Sequence, residues 1–301
     1  MRRCPSRRAA ELEAVGPPGQ SHSVATETNV KDFYTAFYGA VERSQAYHVF
    51  CERVFGKDLS QHGFADLEQL QLLMQVTGLK SAQHVLDVGC GNGKIAEYLS
   101  DCTGAHITGL DYIPEAISQA QHRTADKSDR LSFIVEDINR LELPESAFDV
   151  VLSIDTMYFS DDYAATVRAL KAALRPNGQM ALFFSYGREP WVPKAEFPKD
   201  TLPPDKTPLA AALRANDLTF RAWDLTRQDY QLAQRRAEVL AELKPRFESE
   251  GTLFIYENRL GDAQGIRQAI EDGLHARYLY CAQFPSLSQG AMTGCPTTRC
   301  S

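Results

Sequence analysis

Long apolar runs are missing from this 301-residue chain: none approaches the roughly 18 residues of a membrane-spanning helix. A secretion signal would carry an apolar stretch after its basic start, yet Ala9 to Thr28 is small and polar behind the arginines of Met1 to Arg8. Basic charge is also short. With 32 Lys and Arg against 39 Asp and Glu, the formal net charge is -7 at pH 7. A nucleic-acid partner needs a basic face that displaces counterions, and this balance argues against one. Cysteines at metal or redox spacing are absent too. Cys4, Cys51, Cys90, Cys102, Cys281, Cys295 and Cys300 form no C-x-x-C and no Cys/His cluster, so no metal is expected. Their odd number and scatter fit reduced thiols in a cytoplasm, with no membrane partner. Internal repeats are lacking.

What is present is an ordinary globular mixture, 44% hydrophobic and 24% charged. Residues 1–28 are arginine-, proline- and glycine-bearing and read as a disordered tail. Residues 29–80 read as a helical cap. Phe33, Phe37 and Val41, then Tyr47, Phe50 and Val54, recur at helical spacing, and another helix spans Asp66 to Thr77. The period then changes. Short apolar runs at His84 to Gly89, Ala105 to Leu110, Leu131 to Glu136, Phe148 to Ile154 and Gln179 to Ser185 alternate with helices at Ile95 to Ser100, Pro114 to His122 and Tyr163 to Leu174. That alternation predicts an α/β fold, a doubly wound and mostly parallel sheet, with residues 81–186 as one half. Residues 187–285 supply a proline-rich loop from Trp191 to Pro208, a strand over Leu218 to Leu225, a lid insertion at about 226–260, a helix over Ala263 to Leu274 and a last strand over Ala276 to Phe284. Residues 286–301 read as a polar tail. The N-terminal helices are candidates for packing on their own domain or on a second copy, as a homo-oligomer.

The run Val85 to Val88 leads into Gly89-Cys90-Gly91-Asn92-Gly93 and then a helix. Glycine lets a backbone approach a ligand closely, and a helix N-terminus offers oriented N–H groups, so the turn predicts a nucleotide-like ligand. A dinucleotide fingerprint counted from Gly89 would need a glycine at position 94, which is Lys94. Asp111 ends the second strand about 20 residues on, where a carboxylate accepts from ribose hydroxyls.

In order and spacing, HVLDVGCGNG, GLDYIPEAI, FIVEDINRLELPESAFDVVLSIDTMYF and LRPNGQMALFF resemble the motifs of class I S-adenosylmethionine-dependent methyltransferases, closely over about residues 70–186. The resemblance implies a seven-stranded Rossmann-like sheet with an antiparallel last strand, and S-adenosylmethionine as cofactor. It places Asp87, Gly89, Cys90 and Gly91 at the methionine part, Asp111 at the ribose, and Tyr112 beside the adenine. Asp137 and the Ile138 N–H would meet the adenine edge, and Ser153 the methionine ammonium. Asp87 and Asp137 also read as turn residues.

The family members that methylate adenine or glutamine amino groups carry an Asn/Asp-Pro-Pro-aromatic motif after the fourth strand. Here the chain reads Ser153-Ile154-Asp155-Thr156-Met157-Tyr158, and no Pro-Cys pair for cytosine chemistry is present. The remaining resemblance is to the small-molecule, natural-product branch. An apolar or aromatic acceptor methylated on O, N or C is expected. A macromolecular acceptor (protein or RNA) and a non-catalytic cofactor-binding module are the alternatives. Candidate catalytic residues are His62 (base or orienter, or a plain turn residue), Tyr158 and Asp155. Tyr38, Tyr47, Tyr158 and Tyr186 are the candidate substrate pocket.

Overall fold

The structure, a computed structural model, describes residues 24–188 and 192–285. The tails expected at 1–28 and 286–301 lie outside it, except for residues 24–28, which are helical.

Strands that are apolar on both faces need cover on both sides. Here β1 (His84–Val88), β2 (His106–Asp111), β3 (Leu131–Val135), β4 (Phe148–Ile154), β5 (Leu174–Gly187), β6 (Thr219–Asp224) and β7 (His275–Gln283) form one sheet. Its order is β3-β2-β1-β4-β5-β7-β6. Pairing is parallel from β3 through β5, whereas β7 runs antiparallel to both β5 and β6. This is the doubly wound α/β sheet that the alternation predicts, with the seven strands and antiparallel last strand that the resemblance implies. The order reverses between β1 and β4, and at such a switch point the loops diverge and leave a crevice beyond the carboxyl ends.

The helices are α1 (Val24–Val41), α2 (Gln45–Phe55), α3 (Leu67–Thr77), α4 (Lys94–Thr103), α5 (Pro114–Arg123), α6 (Tyr163–Ala173), α7 (Pro208–Ala215), α8 (Thr226–Ser249) and α9 (Leu253–Glu271). Side-chain caps fix several of their starts. Ser44 accepts from the Tyr47 N–H, Asp66 from that of Gln69, and Asp162 from those of Ala164 and Ala165, each satisfying donors that a helix leaves free. One core packs Leu170 and Leu213 against Val88, Val151 and Leu182 on one sheet face. Another packs Leu73, Leu99 and Ile117 against Val85, Val150 and Phe183 on the other. A third lies above the sheet, where Phe37, Tyr47, Phe50 and Phe55 meet Leu232, Leu240, Phe247 and Ile255. The N-terminal cap and the late insertion therefore share one core over the carboxyl ends of the strands.

Three boundaries differ from the reading of the sequence. Helix α1 starts at Val24, inside the expected tail. Helix α9 runs unbroken from Leu253 through Gly261 and Gly265, so the insertion reaches residue 271 rather than about 260. An interior glycine costs a helix only about 1 kcal/mol, and burial of Ile255, Tyr256 and Ala263 offsets that. Strand β5 starts at Leu174, paired with Phe148, ahead of Pro176-Asn177-Gly178. A register shift between Phe148 and Val150 absorbs the turn as a bulge.

Candidate active site

Three strand ends converge on a cavity of about 370 Å³. β1 delivers Asp87 and then the glycine turn, whose Gly89 and Cys90 N–H groups both donate to the Leu110 carbonyl, at 2.8 and 2.9 Å. β2 delivers Asp111. Its Oδ2 accepts from the Gly91 N–H at 2.8 Å and its Oδ1 from the Ile113 N–H at 2.9 Å, so one carboxylate ties the turn to the next strand. The turn cannot tolerate side chains. At Gly89, φ is +77°, and an added Cβ would come within 2.1 Å of Thr156 Oγ1. Gly89→Ala is therefore expected to cost at least the roughly 1–2 kcal/mol of a left-handed non-glycine residue, measured as a thermal midpoint several degrees lower. An unchanged midpoint would show that the turn relaxes.

Asp87 is 2% exposed, yet its carboxylate makes no hydrogen bond or ion pair among the described residues and lines the cavity. Burial, helped by the nearby Asp111 charge, raises it to about 7. Burial also raises Asp111, although its backbone donors pull the other way. A buried acid with no cationic partner, beside a second carboxylate, suits a ligand that brings positive charge together with hydroxyls. Around them, Tyr112, Asp137, Ile138, Cys90 and Gly91 all line the cavity. Asp137 accepts from the Asn139 N–H at 2.9 Å, an Asx turn that fixes the loop after β3. Burial pushes the Cys90 thiol well above its ordinary value, which makes it a packing group rather than a nucleophile.

The opposite wall comes from α1, the turn before α3, and the loop after β4. Val30, Tyr34 and Tyr38 face the cavity from α1, His62 from the turn, and Tyr158 and Phe159 from the loop. The hydroxyls of Tyr34, Tyr38 and Tyr158 have no hydrogen-bond partner among the described residues. Burial raises all three phenols, so they stay protonated donors at neutral pH. Lys31 Nζ lies 4.7 Å from the Tyr112 ring centre, which docks α1 across the mouth.

Four expected site residues are placed otherwise. Asp155 lines the cavity but is not a free base. Its Oδ1 and Oδ2 accept from Arg277 Nε and Nη2 at 3.0 and 2.8 Å, and Oδ2 also accepts from the Phe64 N–H at 2.9 Å. Its function there is to pin the turn carrying His62 to the end of β4. Tyr47 is fully buried in the helical core and donates to the Gln61 carbonyl at 2.7 Å, so it props the same turn from behind. Tyr186 pairs in register with Ala276 and its hydroxyl meets Thr201 Oγ1 at 3.0 Å, under the 192–207 loop and off the cavity. Ser153 stands beside Val88 and Leu182 in the sheet, 0% exposed, and does not reach the cavity wall.

Residues 85–178 match the family model described as a methyltransferase domain. Phosphoethanolamine N-methyltransferase 1 of Arabidopsis thaliana is 36% identical over 146 residues, 48% of this chain and 29% of the relative. The chain thus spans less than a third of that relative's length. Among solved structures, Haemonchus contortus phosphoethanolamine N-methyltransferase 2, in complex with phosphomonomethylethanolamine and S-adenosylhomocysteine, superposes with a TM-score of 0.60 at 19% identity. That match covers 83% of this chain and 60% of the other. The [4+2]-cyclase SpnF superposes with a TM-score of 0.65 at 18% identity, covering 90% and 99%.

Outside the matched domain, reading the sequence missed Tyr34 and Arg277. Tyr34 precedes Tyr38 by one helical turn, and that spacing puts both on the cavity side of α1. A lone arginine in the apolar strand HARYLYCAQ marked Arg277 as a buried ion-pair member.

Proposed function

We propose that the chain transfers the methyl group of S-adenosylmethionine to a small organic acceptor in this cavity. The observation that carries the reading is the buried, unpartnered Asp87 carboxylate beside the glycine turn, with Asp111 one strand away. Asp87 would pair with the methionine ammonium. Asp111 would accept from the ribose hydroxyls with the lone pairs that its two backbone donors leave free, and Tyr112, Asp137 and Ile138 would border the adenine. The cofactor supplies an electrophilic methyl on a sulfonium. The chain holds an acceptor atom in line with it and keeps water out, which is where most of the rate enhancement of a displacement arises. The roof made by α1 and the aromatic wall of Tyr34, Tyr38, Tyr158 and Phe159 suit a small, partly apolar or aromatic molecule, methylated on O, N or C. A roofed cavity in an acidic chain also argues against protein or RNA acceptors. No described helix is long and apolar enough to cross a membrane.

Asp87 gives this reading a pH signature. Below about pH 7 the free carboxyl holds a proton that the incoming ammonium must displace, at a cost of about 1.4 kcal/mol per unit. Affinity for S-adenosylhomocysteine is expected to rise by up to about tenfold from pH 6 to pH 8. Asp87→Asn should bind more weakly and with no pH slope. A slope unchanged in the variant would remove Asp87 from the ammonium site. Because a cyclase shares the fold, transfer itself is tested by S-adenosylhomocysteine release across a panel of small phenols, amines and acids. Release with one class supports the reading. Tight cofactor binding without release on any acceptor supports a binding module or a non-methylating enzyme.

A further inference from the structure

His62 is gripped from one side by a cation. Arg259, 0% exposed, donates from Nη1 to the His62 carbonyl and from Nη2 to the His62 ring Nε2 at 2.7 Å. A guanidinium has no lone pair to offer, so Nε2 must be the acceptor in that contact. The proton of the neutral ring then sits on Nδ1. Nδ1 has no partner among the described residues and is not sealed off, and the residue lines the cavity.

The surroundings keep the ring neutral. Arg259 and Asp262 face it from α9, with Asp262 Oδ2 3.0 Å from Arg259 Nη2. From α8, the fully buried Arg236 lies 3.9 Å from the same Asp262 carboxylate, and none of its three nitrogens is hydrogen-bonded among the described residues. Two guanidiniums thus share one carboxylate behind the imidazole, and an imidazolium would be a third cation in a desolvated place. Tyr34 and Phe37 pack on the ring at 4.8 Å between centroids and add no acceptor for a second proton. Burial first, then Arg259 and Arg236, hold His62 well below the ordinary histidine range.

We propose that Arg259 fixes His62 as the neutral Nδ1–H form, which donates a hydrogen bond to a carboxylate or carbonyl oxygen of the acceptor molecule and takes no proton from it. His62 then selects the acceptor, and Arg259 is the positioning residue behind it. The idea rests on the cavity being the methyl-transfer site. It leaves an acceptor that arrives as its own nucleophile, since the imidazole lone pair is already committed to Arg259.

The test is a long-range 15N–1H correlation spectrum of the uniformly labelled full chain saturated with S-adenosylhomocysteine. The His62 signals are those that vanish in His62→Gln. The expected pattern is neutral Nδ1–H throughout pH 6–8, and an Nε2–H or imidazolium pattern at pH 7 overturns the proposal. Arg259→Met should move the proton toward Nε2, and the wild-type spectrum stands as a test even where that variant fails to fold. Acetate and acetamide are then titrated separately as probes of the two oxygen classes. A shift of the His62 Nδ1 resonance with acetate alone assigns a carboxylate, and with acetamide a carbonyl. No shift with either overturns the acceptor contact. Calorimetry on the same sample separates the two ideas. Failure to bind S-adenosylhomocysteine sinks the proposed function, whereas normal binding with Nε2–H sinks only this inference.

Discussion

Asp111→Ala is expected to weaken S-adenosylhomocysteine binding about 5- to 150-fold, the range of roughly 1–3 kcal/mol for stranding polar partners. Two losses combine. The ligand loses the acceptor at the ribose position, and the Gly91 and Ile113 N–H groups lose the carboxylate that holds the turn against β2. Asp111→Asn separates them. Its carbonyl oxygen still accepts from one backbone donor and keeps the volume, so stability should recover more than affinity does. Calorimetric titration gives the affinity and thermal unfolding gives the stability of both variants. Equal affinity in wild type and Asp111→Ala would show that no ligand group meets this carboxylate.

Arg277→Met carries the largest expected effect on stability. Arg277 is 0% exposed and joins Asp155 through two contacts and Asp229 at 3.0 Å, with a further bond to Gln69. Removing one side of a buried ion pair leaves uncompensated charge, which costs about 3–5 kcal/mol. For a chain of this size that lowers the thermal midpoint by on the order of 10 °C. The effect should depend on pH in a definite direction. Asp229 is already raised to about 7, because burial outweighs the pull of Arg277. A carboxyl raised on folding contributes stability below its unfolded value, and that contribution is lost as pH rises through about 7. Without Arg277, Asp229 loses the charge that favours its ionised form, so the deficit should be larger at pH 8 than at pH 5.5. A deficit independent of pH would mean that lost packing of the long side chain, not charge, dominates. Because Asp155 also accepts from the Phe64 N–H, the same variant should loosen the turn that carries His62.

The sheet and the strand-end wall of the cavity are legible in the sequence for a local reason. Asp87, Gly89, Gly91, Asp111, Asp137 and Ile138 each sit where an apolar run stops, and parallel strands place all such stops on one edge. The opposite wall depends on contacts that no local pattern records. Asp155 reads as a free acid after β4, yet its partner Arg277 lies 122 residues away on the antiparallel last strand. Tyr186 stands at the carboxyl end of β5 and reads from the sequence as a candidate pocket residue. The β5–β7 pairing instead carries it beneath the 192–207 loop. Tyr47 follows the helical spacing but is no pocket residue, since the shared core of α1, α2, α8 and α9 surrounds it. The continuous α9 escaped because two glycines mimic a break that tertiary packing overrides.

The measurement that bears most directly on the whole account is calorimetric titration of the full chain with S-adenosylmethionine, S-adenosylhomocysteine and NAD at pH 8. The expected result is one adenosyl ligand per chain for the first two, with no heat from NAD and a weaker titration in Asp87→Asn. Binding of NAD in their place, or no binding of any of the three, would contradict the assignment of the glycine turn and its two carboxylates to a methyl donor.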